Sequence, residues 1–130
     1  MKENKLTIQI KRPVSEVFDF TITPSNTSLW IDSILGEEIE GKTILVGTRY
    51  KNKDQEGNLH FYDVSQFKSD AIFELKSIAG GYSVRYTYTT ISNTETELEY
   101  FEWVEDGDLA NPFEQKNLEK LKFILENRNR

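Results

Sequence analysis

Apolar and polar residues alternate along most of this chain, and the period changes from two to helical spacing in three places. From Lys5 to Lys11, Leu6, Ile8 and Ile10 fall on one side and Thr7, Gln9 and Lys11 on the other, the pattern of a strand with one buried face. Pro13 opens a short helix in which Val14, Val17 and Phe18 recur at i, i+3 and i+4. Thr23-Pro24-Ser25 breaks it, and a second short helical piece follows, capped by Ser25 and carrying Leu29, Trp30 and Ile34. Strand-like runs then take over: Ile34 to Glu40, Thr48 to Lys53, Asn58 to Phe67, Ala71 to Ser77, Tyr82 to Thr90 and Glu95 to Glu105. Gly36, Gly41, Gly47, Gly57, Gly80-Gly81 and Ser92-Asn93 punctuate them with short turns, as in an antiparallel meander.

The last segment, Asn111 to Asn127, reads as one long helix. Asn111 can cap it, Pro112 suits the first turn and Glu114 sits three residues after the cap. Phe113, Leu118, Leu121, Ile124 and Leu125 form one stripe, with Lys116, Glu119, Lys120, Lys122 and Glu126 opposite. Asn117 falls inside the stripe and points at whatever the helix covers: a satisfied core amide or a ligand contact. A strand, two short helices, six strands and a long helix predict an α+β fold. One seven-stranded antiparallel sheet has its apolar face covered by the C-terminal helix, with two short helices after the first strand.

Composition narrows the chemistry. There is no cysteine, which excludes disulfides and thiolate chemistry, and the single histidine, His60, excludes a histidine-rich metal site. Nothing in the sequence calls for a cofactor. No apolar run approaches the ~18 residues of a membrane span, and the first residues lack a signal-like apolar core. A cytoplasmic protein is the expectation. The formal charge is -6, and no Lys or Arg occurs between Tyr86 and Gln115. Nucleic-acid binding, which needs a basic stripe, is therefore not expected.

Twelve per cent of the residues are aromatic, and many lie in the strands. Alternation turns Val84, Tyr86 and Tyr88 to one face, away from Arg85, Thr87 and Thr89. A tyrosine offers an apolar body and a polar tip, so several on one face suit a ring-shaped ligand bearing oxygens; equally, they could simply fill a core. Tyr62 and Val64 are placed inward, which takes His60 to the same side at the start of its strand. There it is either a general base or an exposed strand-end residue. Glu95, Glu97 and Glu99 form a solvated row that lacks the converging partners of a metal site. Continued alternation sends Tyr100, Glu102 and Val104 inward and Phe101 and Trp103 outward, where the two rings would suit self-association, such as a homodimer. A bulge near Tyr100 would reverse that assignment. If Glu102 is inward, its candidate donors are Tyr86, Tyr88, Asn117 and Arg85.

The order Ile8-x-Ile10-x-Arg12-Pro13-Val14-x-x-Val17-Phe18-Asp19-Phe20, then Trp30, then Gly47-Thr48-Arg49-Tyr50, resembles the START-like (SRPBCC) superfamily over nearly the whole chain. These are the helix-grip proteins of the polyketide cyclase-like, lipid-transfer and pollen-allergen types. Arg12 departs from the small residue usual there. The resemblance implies a single domain over residues 1–130, a curved antiparallel sheet wrapped around the C-terminal helix, and a cavity between them for an apolar ligand. Trp30 would then belong to a lid at the cavity mouth, or to a plug between helix and sheet. Members include binders, transporters, cyclases and activators of a chaperone ATPase, and they share no catalytic residues.

Three functions follow as expectations. The first is binding of a small hydrophobic or aromatic molecule, lipid or polyketide-like, contacted by Trp30, Tyr62, Tyr86, Tyr88, Tyr100, Glu102, Asn117 and Leu121. The second is a cyclase- or hydrolase-type enzyme using Glu102 with Tyr86, Tyr100, Asn117 or His60. The third is a partner-binding module presenting Phe101, Trp103 and the acidic segment from Glu95 to Asp108.

Overall fold

The computed structural model describes residues 1–128. Strand β1 (Lys2–Ile10) is followed by helices α1 (Val14–Ile22) and α2 (Pro24–Trp30). Then come β2 (Ile34–Ile39), β3 (Arg49–Asp54), β4 (Leu59–Lys68), β5 (Ile72–Ser77), β6 (Tyr82–Ser92), β7 (Glu95–Val104) and helix α3 (Gln115–Glu126). The strands form one curved antiparallel sheet in the order β1-β7-β6-β5-β4-β3-β2. The chain is a meander from β2 to β7, and β1 closes it by pairing with β7. The expected α+β helix-grip fold is what the chain adopts.

Alternation fixes the faces. Ile8 and Ile10 of β1, Phe73 and Leu75 of β5, Val84, Tyr86 and Tyr88 of β6, and Leu98 and Tyr100 of β7 are all buried on the concave side. Against them lie Val17, Phe18 and Phe20 of α1, Trp30 of α2, and Leu118, Leu121 and Leu125 of α3. β7 pairs with β1 residue for residue from Lys2↔Val104 to Ile10↔Thr96, so no bulge interrupts it and Glu102 faces inward. The sheet does shift register at Val64/Gln66 in β4, which turns Phe67 to the concave side, in edge contact with Phe18 and Phe73.

The C-terminal helix starts later than its capping signals predict. Glu114, not Asn111, is the N-cap residue, and no side chain caps the first turn. Tertiary contacts override the local signal: the Phe113 backbone N–H is taken by Glu102, and the Phe113 ring stacks on Tyr100 with centroids 3.9 Å apart. Residues 111–113 thus form an extended lead-in held by the sheet. The second short helix also differs, since Thr23 rather than Ser25 is its N-cap residue and Pro24 occupies its first turn. Ile34 belongs to β2.

Arg12 closes the other end of α3. Its guanidinium donates to the Glu126 carbonyl at 2.7 Å and lies 3.3 Å from the Glu16 carboxylate. The Lys11 N–H donates to the Glu126 carboxylate at 2.7 Å. A cation on the exposed carbonyls of a helix C-terminus offsets the helix dipole, and here it also pins α3 to the β1–α1 corner.

Candidate ligand-binding cavity

The concave face is incompletely filled. A cavity of about 310 Å³ lies between the sheet and the segments that cover it, α1, α2 and residues 111–113. Phe73, Leu75, Val84, Tyr86 and Tyr100 form its floor, and Thr21, Thr27, Ile31, Ile34 and Phe113 its roof. Its exposed lining residues, Ser33, His60 and Asn111, mark the opening. The cavity therefore sits under α1, α2 and the lead-in to α3. Leu118, Leu121 and Leu125, fully buried, use α3 to fill the sheet beside it.

Cross-strand pairing explains which polar groups meet there, because directly opposed residues share a face. Glu37, Asn52 and His60 form one row across β2, β3 and β4. Phe73, Tyr86 and Tyr100 form a second across β5, β6 and β7. Leu75, Val84, Glu102 and Asn4 form a third, ending on β1.

Glu102 is 3% exposed and holds three donors. The Tyr82 hydroxyl donates to Oε1 at 2.7 Å; Asn4 Nδ2 and the Phe113 N–H donate to Oε2 at 2.9 Å and 2.6 Å. None of the four donors expected from the sequence is among them. Tyr88 shares a hydrogen bond with Thr21 Oγ1, and Asn117 Oδ1 accepts the Asp32 N–H at 3.3 Å. Arg85 projects from the other face of the sheet, where it donates to Glu74 at 2.7 Å. Tyr86 lies one row from Glu102 and its hydroxyl has no hydrogen-bond partner among the described residues, although the side chain is only 6% exposed. Burial pushes the Tyr86 phenol well above its ordinary pKa, so it keeps its proton.

Glu37 is the second cavity carboxylate, and the sequence reading did not single it out. It accepts from Thr27 Oγ1 at 2.6 Å and from Asn52 Nδ2 at 3.5 Å. Burial raises its pKa to about 7, against the opposing pull of those two bonds. Glu37 and Glu38 alternate on a polar edge strand with an irregularity at Ile34/Gly36, so parity alone could not say which faces in. The pairing with Asn52 and His60 is the signal that decides it.

His60 stands on the rim. Its Nε2 is 2.9 Å from Asp54 Oδ2, and Asp54 Oδ1 also accepts the N–H groups of Glu56 and Asn58 in the β3–β4 turn. The His60 contact and these turn N–H groups hold Asp54 down to about 2. Of the eight residues expected to contact a ligand, Tyr62, Tyr86, Tyr100 and Glu102 line the cavity. Trp30, Tyr88, Asn117 and Leu121 are buried around it: Trp30 is a plug rather than a lid, with its ring edge-on to Tyr86 and Phe113. Among the described residues no group of three or more His, Asp or Glu converges as a metal site would require.

On the convex face Phe101 and Trp103 point outward and stack, centroids 5.0 Å apart. They are half-buried, not bare. Lys5 Nζ lies 5.3 Å from the Phe101 ring centre, and the Arg85 guanidinium 5.2 Å from that of Trp103.

No protein-family model matches this chain. No curated protein matches it either. Solved structures do. XoxI of Bacillus cereus superposes with a TM-score of 0.77 at 10% identity, covering 98% of this chain and 97% of its own. A Mesorhizobium loti protein gives 0.75 at 14% identity, covering 98% and 99%. The Aha1 dimer of Colwellia psychrerythraea gives 0.71 at 16% identity, covering 98% of both chains. At these identities the likeness establishes a shared curled-sheet fold along essentially the whole chain, and nothing of activity.

Proposed function

We propose that this is a START-like helix-grip protein that binds a small molecule with an apolar or aromatic body in the cavity between β5–β7 and the α1–α2 roof. The observation that carries the reading is the combination of space and lining. About 310 Å³ lies at the lower end of ligand-pocket volumes, and its walls are aromatic and aliphatic with a few polar groups at fixed positions. Tyr62, Tyr86, Tyr100 and Glu102 contact the ligand in this reading; Trp30, Tyr88, Asn117 and Leu121 support the wall from behind. Thermal shift against a panel of lipids, flavonoids and polyketides tests it. A binder should raise the melting temperature of the protein, and should fail to do so in Val84→Phe, which fills the cavity floor while leaving the fold cooperative. Loss of that distinction, or no binder in any class, counts against the reading.

Proton-transfer catalysis has one observation in its favour, the Glu37 carboxyl near neutral pKa beside the cavity. Turnover whose pH profile has a limb near neutrality, abolished in Glu37→Gln, is the result that reading requires. Partner docking or homodimer formation through Phe101 and Trp103 draws less support, because Lys5 and Arg85 already lie over those rings.

A further inference from the structure

The cavity lining contains three carboxylates, Glu37, Asp54 and Glu102, and no lysine or arginine among the described residues. Asp54 is engaged by His60 and by its own turn. The other two have only neutral partners: Thr27 and Asn52 for Glu37, and Tyr82, Asn4 and a backbone N–H for Glu102. A carboxylate withdrawn from water is ordinarily paired with a cation or gives up its charge. Glu37 has no lysine or arginine among its hydrogen-bond partners, and the histidine of its row, His60, is engaged with Asp54.

The rest of the wall reinforces the same sign. Tyr62, Phe73, Tyr82, Tyr86, Tyr100 and Phe113 surround the space. Aromatic faces carry negative potential and attract ammonium groups. Independently, the Tyr86 hydroxyl is an unpartnered polar group on a side chain that is 6% exposed and lines the cavity, placed where it can accept a hydrogen bond from an occupant. A fatty-acid carboxylate or a phosphate would meet repulsion here and no lysine or arginine, and His60 is already paired with Asp54.

Accepting the cavity as a binding site, we propose that its ligand is a small organic cation, an amine or quaternary ammonium group on an apolar or aromatic body. The ammonium lies toward Glu37 and the Tyr86 hydroxyl, and the body lies on Phe73, Leu75, Val84 and Tyr100.

Three probes that share one ring system and differ in charge test this by isothermal titration calorimetry: 2-(2-naphthyl)ethylamine, 2-(2-naphthyl)ethanol and 2-naphthylacetate. At pH 7.5 the amine should bind at least about tenfold more tightly than the alcohol, with the acetate weakest. In Glu37→Gln, with folding checked by its melting curve, the alcohol should bind as before and the amine should lose most of its advantage. Equal binding of amine and alcohol, or tighter binding of the acetate, overturns the charge assignment while leaving the cavity as a binding site. An amine preference unchanged in Glu37→Gln overturns the placement of the cation at Glu37. No binding by any of the three overturns this proposal and counts against the binding reading itself.

Discussion

The backbone N–H of Phe113 donates to Glu102 Oε2 at 2.6 Å, tying the lead-in of the last helix to the far end of β7. The same carboxylate takes Asn4 from the first strand and Tyr82 from the sixth. One acceptor therefore joins three distant parts of the chain next to the cavity. Both oxygens of a carboxylate accept, whereas one end of an amide donates.

Glu102→Gln should destabilise the fold by about 0.5–1.5 kcal/mol: its amide oxygen can keep Asn4 and the Phe113 N–H, while its NH₂ faces Tyr82, whose hydroxyl must give up donating and turn to accept. The opposite sign, a gain in stability, is what a carboxylate whose pKa burial had raised would give. Urea denaturation at pH 7 distinguishes the two. A variant as stable as the parent would show that the donors reach water instead.

Glu37 gives a pH-dependent prediction. Its folded pKa, about 7, lies above the ordinary carboxyl value, so between pH 4.5 and 7 the folded state binds more protons than the unfolded one. The contribution of Glu37 to stability is greatest at low pH and falls as pH rises through about 7. Glu37→Gln mimics the protonated acid. It should match the parent near pH 4.5 and exceed it by about 1–3 kcal/mol at pH 8. Denaturation curves at both pH values check this, and a constant difference across the range would remove Glu37 as the titrating group.

Glu74, on the convex face, behaves in the opposite sense. Burial alone would raise it, but hydrogen bonds from Ser65, Arg85 and Gln66 outweigh burial and hold its pKa below the ordinary value. Its stabilisation is present at neutral pH and is lost as pH falls through its folded pKa. Arg85→Met should therefore cost about 2 kcal/mol or more at pH 7, by stranding a buried carboxylate, and much less near pH 3. Paired melts at the two pH values decide it; an equal loss at both would assign the effect to packing on Trp103.

Much of this fold is legible in the alternation of single residues. Ile8, Ile10, Tyr86 and Leu98 sit where period two puts them, and the unbroken β7 register sends Glu102 inward and Phe101 and Trp103 outward. The helix starts later than Asn111 and Pro112 imply, because the long-range Phe113–Glu102 bond overrides the local capping rules they satisfy. The cavity was legible only in part. Tyr62, Tyr86 and Tyr100 follow from parity, whereas Glu37 depends on strand register across β2–β4. Tyr82 and Asn4 reach Glu102 from strand ends, whose side-chain partners alternation does not identify.

The central claim, that the space over β5–β7 is a binding site, is tested most directly by an amide and aromatic NMR titration of the full chain with 2-(2-naphthyl)ethylamine. Saturable shifts should concentrate on Ile31, Tyr86, Tyr100 and Phe113, while Phe101 and Trp103 on the convex face stay in place. Shifts confined to the convex face, or none at millimolar concentration of this amine, the matching alcohol and 2-naphthylacetate alike, would contradict the account.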